Sequence, residues 1–105
     1  MMYAAQVHAS DAEGFWLTPN CPSIKHLEAY LTKAFADDSK RPLRNFAGNR
    51  ICDPDVVDQI VVLKARKYKM PQIHGYYDWV DGKLRLDRNK PIGVHNAIFF
   101  GETDD

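Results

Sequence analysis

Asp81-Gly82 stands between two runs of alternating character, Gln72-Ile73-His74-Gly75-Tyr76-Tyr77-Asp78-Trp79-Val80 and Lys83-Leu84-Arg85-Leu86-Asp87-Arg88. An Asp-Gly pair in that setting is a two-residue hairpin turn, because both central positions need positive φ. The turn fixes a register: Val80 faces Lys83, Trp79 faces Leu84, Asp78 faces Arg85, Tyr77 faces Leu86 and Tyr76 faces Asp87. Side chains alternate along each strand, so Ile73, Tyr77, Trp79, Leu84 and Leu86 are predicted on a core face. His74, Tyr76, Asp78, Val80, Lys83, Arg85 and Asp87 fall on the other, a polar surface dotted with aromatics.

The rest of the chain supplies further strands and two predicted helices. Tyr3, Ala5, Val7 and Ala9 alternate with Gln6 and His8, and with the β-prone Phe15-Trp16-Leu17-Thr18 they predict a first hairpin over residues 2–18. Ser23 is placed to cap a helix whose stripe is Ile24, Leu27, Leu31, Ala34 and Phe35. Periodicity is lost over residues 37–52, a long basic loop holding Lys40, Arg41, Arg44 and Arg50 and pinned by Leu43, Phe46 and Ile51. Asp53-Pro54 then predicts a second helix over residues 53–68, since the carboxylate can cap and proline suits the first helical position. The β-branched run Ile60-Val61-Val62-Leu63 supports a rival, a short helical turn followed by a strand over residues 60–70. Residues 94–100 form a last strand, apolar on both faces and paired with the first, and an acidic tail frays from about residue 101. The fold class is therefore α+β: one domain over residues 1–105, an antiparallel sheet of four or five strands, both helices on one face.

Composition narrows the function classes. Fourteen Lys and Arg are offset by 14 Asp and Glu, so 105 residues carry zero formal charge, which disfavours a generic polyanion binder. Hydrophobic residues at 45% exclude intrinsic disorder, and no apolar stretch reaches the roughly 20 residues of a membrane helix. The start, Met-Met-Tyr-Ala-Ala-Gln, lacks the basic and apolar regions of a signal peptide, so a cytoplasmic location is expected, with no membrane partner. Cys21 and Cys52 read as reduced thiols. With His26, His74 and His95 they have no zinc-like spacing, and no metal or cofactor is expected. Phosphate-binding glycine loops and hydrolase motifs are absent as well, so an enzyme is disfavoured and no catalytic residue is assigned.

What remains is a binding surface. Tyr and Arg are enriched where proteins meet, so the outward face of the hairpin, with Tyr76, Arg85, His74, Asp78 and Lys83, is the first candidate. The expected function is a small binding protein, monomer or homodimer, that occludes a host protein or nucleoprotein complex as accessory proteins of mobile elements and phages do. A nucleic-acid-binding alternative uses Arg41, Arg44, Lys64, Arg66, Lys67 and Lys69, with Tyr68 and Tyr76 available for stacking. On the helix reading, Asp53, Asp55 and Asp58 at one end and those lysines and Arg66 at the other have a structural account too. Each complements the helix dipole by roughly 0.3 to 1 kcal/mol. A strand or hairpin, two helices and three antiparallel strands in that order resemble the small ribonuclease toxins of bacteria, which implies a small nuclease as a third reading. The resemblance is one of element order, matches no functional residue here and is not adopted as an assignment.

Overall fold

The structure is a computed structural model that describes residues 1–10, 14–36 and 43–87. In chain order it contains β1 (Met2–Ala9), β2 (Trp16–Leu17), α1 (Ile24–Phe35), a 3-10 turn (Pro54–Val56), β3 (Val57–Ala65), β4 (Gln72–Val80) and β5 (Lys83–Leu86). The strands form one sheet in the order β2-β1-β3-β4-β5, with every neighbouring pair antiparallel. The hairpin is as the Asp-Gly turn dictates. Asp81 and Gly82 have φ of 51° and 77°. Val80 pairs with Lys83, Trp79 with Leu84, Asp78 with Arg85 and Tyr77 with Leu86.

Strands β1 and β2 pair antiparallel, as the predicted first hairpin requires, and the second arm is short. The ladder is prolonged by a side chain: the Ala5 N–H donates to Thr18 Oγ1 at 2.8 Å, and the Thr18 N–H donates to the Ala5 carbonyl at 3.0 Å. Helix α1 begins where Ser23 Oγ accepts from the His26 N–H at 3.2 Å. Its buried residues Leu27, Leu31 and Ala34 lie in one core cluster with Ala5, Val7, Trp16, Ile60 and Val62 from the sheet. Full burial of a leucine, isoleucine or valine contributes about 1.5 to 3 kcal/mol, so this layer dominates the stability. At the other end of the helix, the Phe35 ring meets Trp79 at 5.2 Å. Glu28 reaches across to β5, where its Oε2 accepts the Leu84 N–H at 2.8 Å.

The second helix predicted over residues 53–68 is not there; the rival reading is nearer. Asp53-Pro54 starts a helical turn as its chemistry suggests, but the Asp53 side chain makes no capping bond and the turn ends at Val56. Ile60, Val61 and Val62 are fully buried and Leu63 nearly so, on both faces of the sheet. A β-branched run flanked by strands on both sides buries both faces at once, and this outweighs a helical start signal. The chain thus has one helix among the described residues, not two helices on one face. The dipole account of its charges lapses, and so does the element order that resembled the ribonuclease toxins.

A second departure lies within β4. The register shifts between Val62 and Leu63, which pair with Gly75 and Ile73, so His74 is an extra, bulged residue. The bulge places Ile73 opposite Leu63, on the face away from α1, and not on the core face. His74 joins the helix side, where its ring meets Tyr3 and Tyr77. Gly75 permits this arrangement, since a β-carbon there would lie 3.0 Å from the Tyr77 ring and 3.2 Å from Leu86. Part of the long loop is also more regular than expected. Arg44 and Arg50 form a β-bridge, and buried Asn45 accepts from the N–H groups of Ala47 and Asn49 through its Oδ1. Trp16 Nε1 donates to the Asn49 carbonyl at 3.1 Å and ties this loop to the core. Leu43 is buried and Ile51 half-buried as expected, whereas Phe46 is exposed. Lys40, Arg41, the strand over residues 94–100 and the acidic tail lie outside the described residues.

Candidate functional site

The outward face of the hairpin brings together four of its five predicted residues. Tyr76, Asp78, Lys83 and Arg85 share the face away from α1, and Arg85 Nη2 lies 3.5 Å from Asp78 Oδ2. An exposed cross-strand pair of this kind contributes only a few tenths of a kcal/mol. Gln6 and Val61, at the centre of the same face, are 1% and 0% exposed. Tyr76, opposite Val61, is itself half-buried. The open part of the patch is therefore its rim at Lys83 and Arg85.

His74 does not belong to that patch. Its ring lies edge-on to Tyr3 at 5.3 Å and stacked on Tyr77 at 6.4 Å. Burial first, and the Lys64 ammonium second, hold its imidazole below the usual value of 6.5. Burial, and then Tyr3, push the Tyr77 phenol up. Through these ring contacts the exposed His74 links the bulge to Tyr3 of β1.

Four of the six residues of the second predicted set lie together, at the end of a strand and in the turn after it and not at the end of a helix. Lys64 is the penultimate residue of β3, while Arg66, Lys67 and Lys69 occupy the turn into β4. The Lys69 N–H donates to the Arg66 carbonyl at 3.1 Å, closing a β-turn with Tyr68 at its third position. Tyr68 has φ of 65°, the left-handed conformation that glycine ordinarily supplies at that position of a type II turn. For a side chain with a β-carbon this conformation costs about 1 to 2 kcal/mol. Tyr68 is also 93% exposed, so no packing offsets the strain. Lys67 Nζ lies 5.1 Å from the centre of its ring. No acidic residue occurs from position 59 to 77, and among the described residues Arg66, Lys67 and Lys69 form no ion pair.

An open groove of about 160 Å³ begins at the foot of this turn. It is lined mainly by Met2, Ala4, Leu17, Leu63, Ala65 and Pro71, with Thr18, Asn20 and Lys64 at its borders. Ala65 and Pro71 are the residues that bracket the turn, and Leu17 is half exposed. These groove residues carry no motif, and only the sheet register reveals them. Met2 pairs with Ala65 and Ala4 with Leu63, which sets all four on the face away from α1.

Arg44 stands apart, on the loop tied to Trp16, with its Nη1 donating to the Gly48 carbonyl at 2.7 Å. Arg41 lies outside the described residues. Among the described residues no three His, Cys, Asp or Glu side chains come together to hold a metal ion, and no helix is long and apolar enough to cross a membrane. Neither Cys21 nor Cys52 is in a disulfide, and burial pushes the Cys21 thiol up. Comparison with protein-family models, with curated proteins and with solved structures found no match to this chain.

Proposed function

We propose that this chain acts by binding a macromolecular partner, and that the partner is a single-stranded nucleic acid engaged by the turn between β3 and β4. Tyr68 carries the reading. A bulky side chain held in a strained conformation with its ring in solvent packs against no core residue, and within the molecule its ring meets only the Lys67 ammonium, an exposed cation–π contact of about 0.5 to 1 kcal/mol that does not exceed the strain. Set among Arg66, Lys67 and Lys69, the same ring is a stacking platform inside an electrostatic funnel. The zero net charge is no obstacle here, because Lys64, Arg66, Lys67 and Lys69 lie within six residues of one another in a stretch, 59–77, that holds no acidic residue. Lys83 and Arg85 on the hairpin rim support the second reading, a protein partner.

Anisotropy titration of a labelled oligo(dT), repeated over a range of salt, tests the assignment. If Lys64, Arg66, Lys67 and Lys69 all meet phosphates, log K should fall with log salt with a slope of about −3, since each contributes about 0.7 on a single strand. Tyr68→Gly should weaken binding about tenfold by removing the stacked ring. The same change relieves the backbone strain, so the melting temperature should hold or rise. No binding at low salt, or equal affinity in Tyr68→Gly, would overturn the reading.

A further inference from the structure

We infer that the groove at the foot of the basic turn receives one base of the bound strand, next to the base stacked on Tyr68. This rests on the nucleic-acid reading and adds to it a second site with its own residues. Size comes first. Drug-sized ligands occupy about 300 to 1,000 Å³, whereas an apolar cavity of about 150 Å³ holds a single benzene ring. At about 160 Å³ the groove fits one flat ring and little more.

Chemistry comes second. Met2, Leu17, Leu63 and Pro71 offer thioether, aliphatic and pyrrolidine surface to the faces of a ring. Exposed Asn20 at the border brings an amide that can both donate to and accept from a base edge. Continuity comes third. Ala65 and Pro71 line the groove and also bracket the turn that carries Arg66, Lys67, Tyr68 and Lys69. A strand whose phosphates follow those cations has the groove within reach at the two residues where the turn begins and ends. Cations beside an apolar slot of one-ring size complement an anionic chain that carries flat rings.

The test separates the groove from the tyrosine. Oligo(dT) and an abasic deoxyribose-phosphate chain of the same length have equal charge and differ only in the bases. Both are titrated against the Tyr68→Gly protein, in which the turn no longer stacks a base. The groove predicts that this protein still prefers oligo(dT), by about fivefold or more. Adding Ala65→Phe, which fills the groove, should abolish the preference while leaving abasic affinity and its salt slope unchanged. Adding Leu17→Ala, at a half-exposed position of β2, should reduce the preference and decides the matter if the phenylalanine variant is unfolded by circular dichroism. A preference that is absent in Tyr68→Gly, or that survives both additions, overturns the groove while leaving the nucleic-acid reading in place. Failure of the unaltered protein to bind either chain overturns both.

Discussion

Thr18 shows how a single side chain substitutes for missing backbone. With two residues, β2 is too short to satisfy all of β1, and the Thr18 hydroxyl accepts the Ala5 N–H that a longer strand would have taken. Both residues are buried. Thr18→Val should therefore cost about 1 to 3 kcal/mol, the penalty for a buried donor left without an acceptor. The check is chemical denaturation with an unchanged m-value, together with faster hydrogen exchange at the Ala5 amide. Tyr68 lies at the opposite extreme: Thr18 is fixed by what it satisfies inside the molecule, and the Tyr68 ring meets only the neighbouring Lys67 ammonium there. Neither role was legible in the sequence, because each depends on where a strand stops. His74 was misplaced for a related reason. Counting in twos assumes an unbroken pleat, and a glycine inside a strand, here Gly75, is the signal that the count can slip.

At the scale of elements, β5 is, among the described residues, an edge strand of four residues guarded from across the sheet. Open N–H groups on an edge invite pairing with other chains. Glu28 withdraws one of them by accepting the Leu84 N–H, and the same contact fastens α1 to the sheet. Glu28→Ala should lower stability by about 1 to 3 kcal/mol and remove hydrogen-exchange protection at Leu84, while Glu28→Gln should retain most of both. Unchanged exchange at Leu84 in the alanine variant would refute this. Elements whose signals are local were legible: the Asp-Gly turn gave the β4 to β5 register, and Ser23 with its apolar stripe gave α1. The strand over Val57–Ala65 was not, since Asp53-Pro54 is a true start signal for a turn that stops after three residues. Only the two-sided burial of Ile60 to Leu63, a tertiary fact, decides between helix and strand there. The groove was invisible for the same reason, being assembled from residues that meet only once β1 and β3 are paired.

At the scale of the whole molecule, β3 sorts the charges. Asp53, Asp55 and Asp58 precede or open the strand, and Lys64, Arg66, Lys67 and Lys69 close or follow it. A strand of nine residues spans about 26 Å, so the two groups lie well over a Debye length apart at physiological salt. Because β4 runs antiparallel to β3, the turn at Asp81 adds a further carboxylate to the acidic end. Along β3 itself, therefore, a sequence sum of zero conceals carboxylates gathered at one end and cations at the other. Near its isoelectric point of about 6.9 an evenly charged protein would pass through either kind of ion-exchange resin. A bipolar one should be held by both, presenting its basic turn to a sulfonate bead and its acidic end to a quaternary ammonium bead. Replacing Arg66, Lys67 and Lys69 with glutamine should abolish retention on the first and spare it on the second. The molecule therefore meets a charged surface in a chosen orientation, end first, before any specific contact forms.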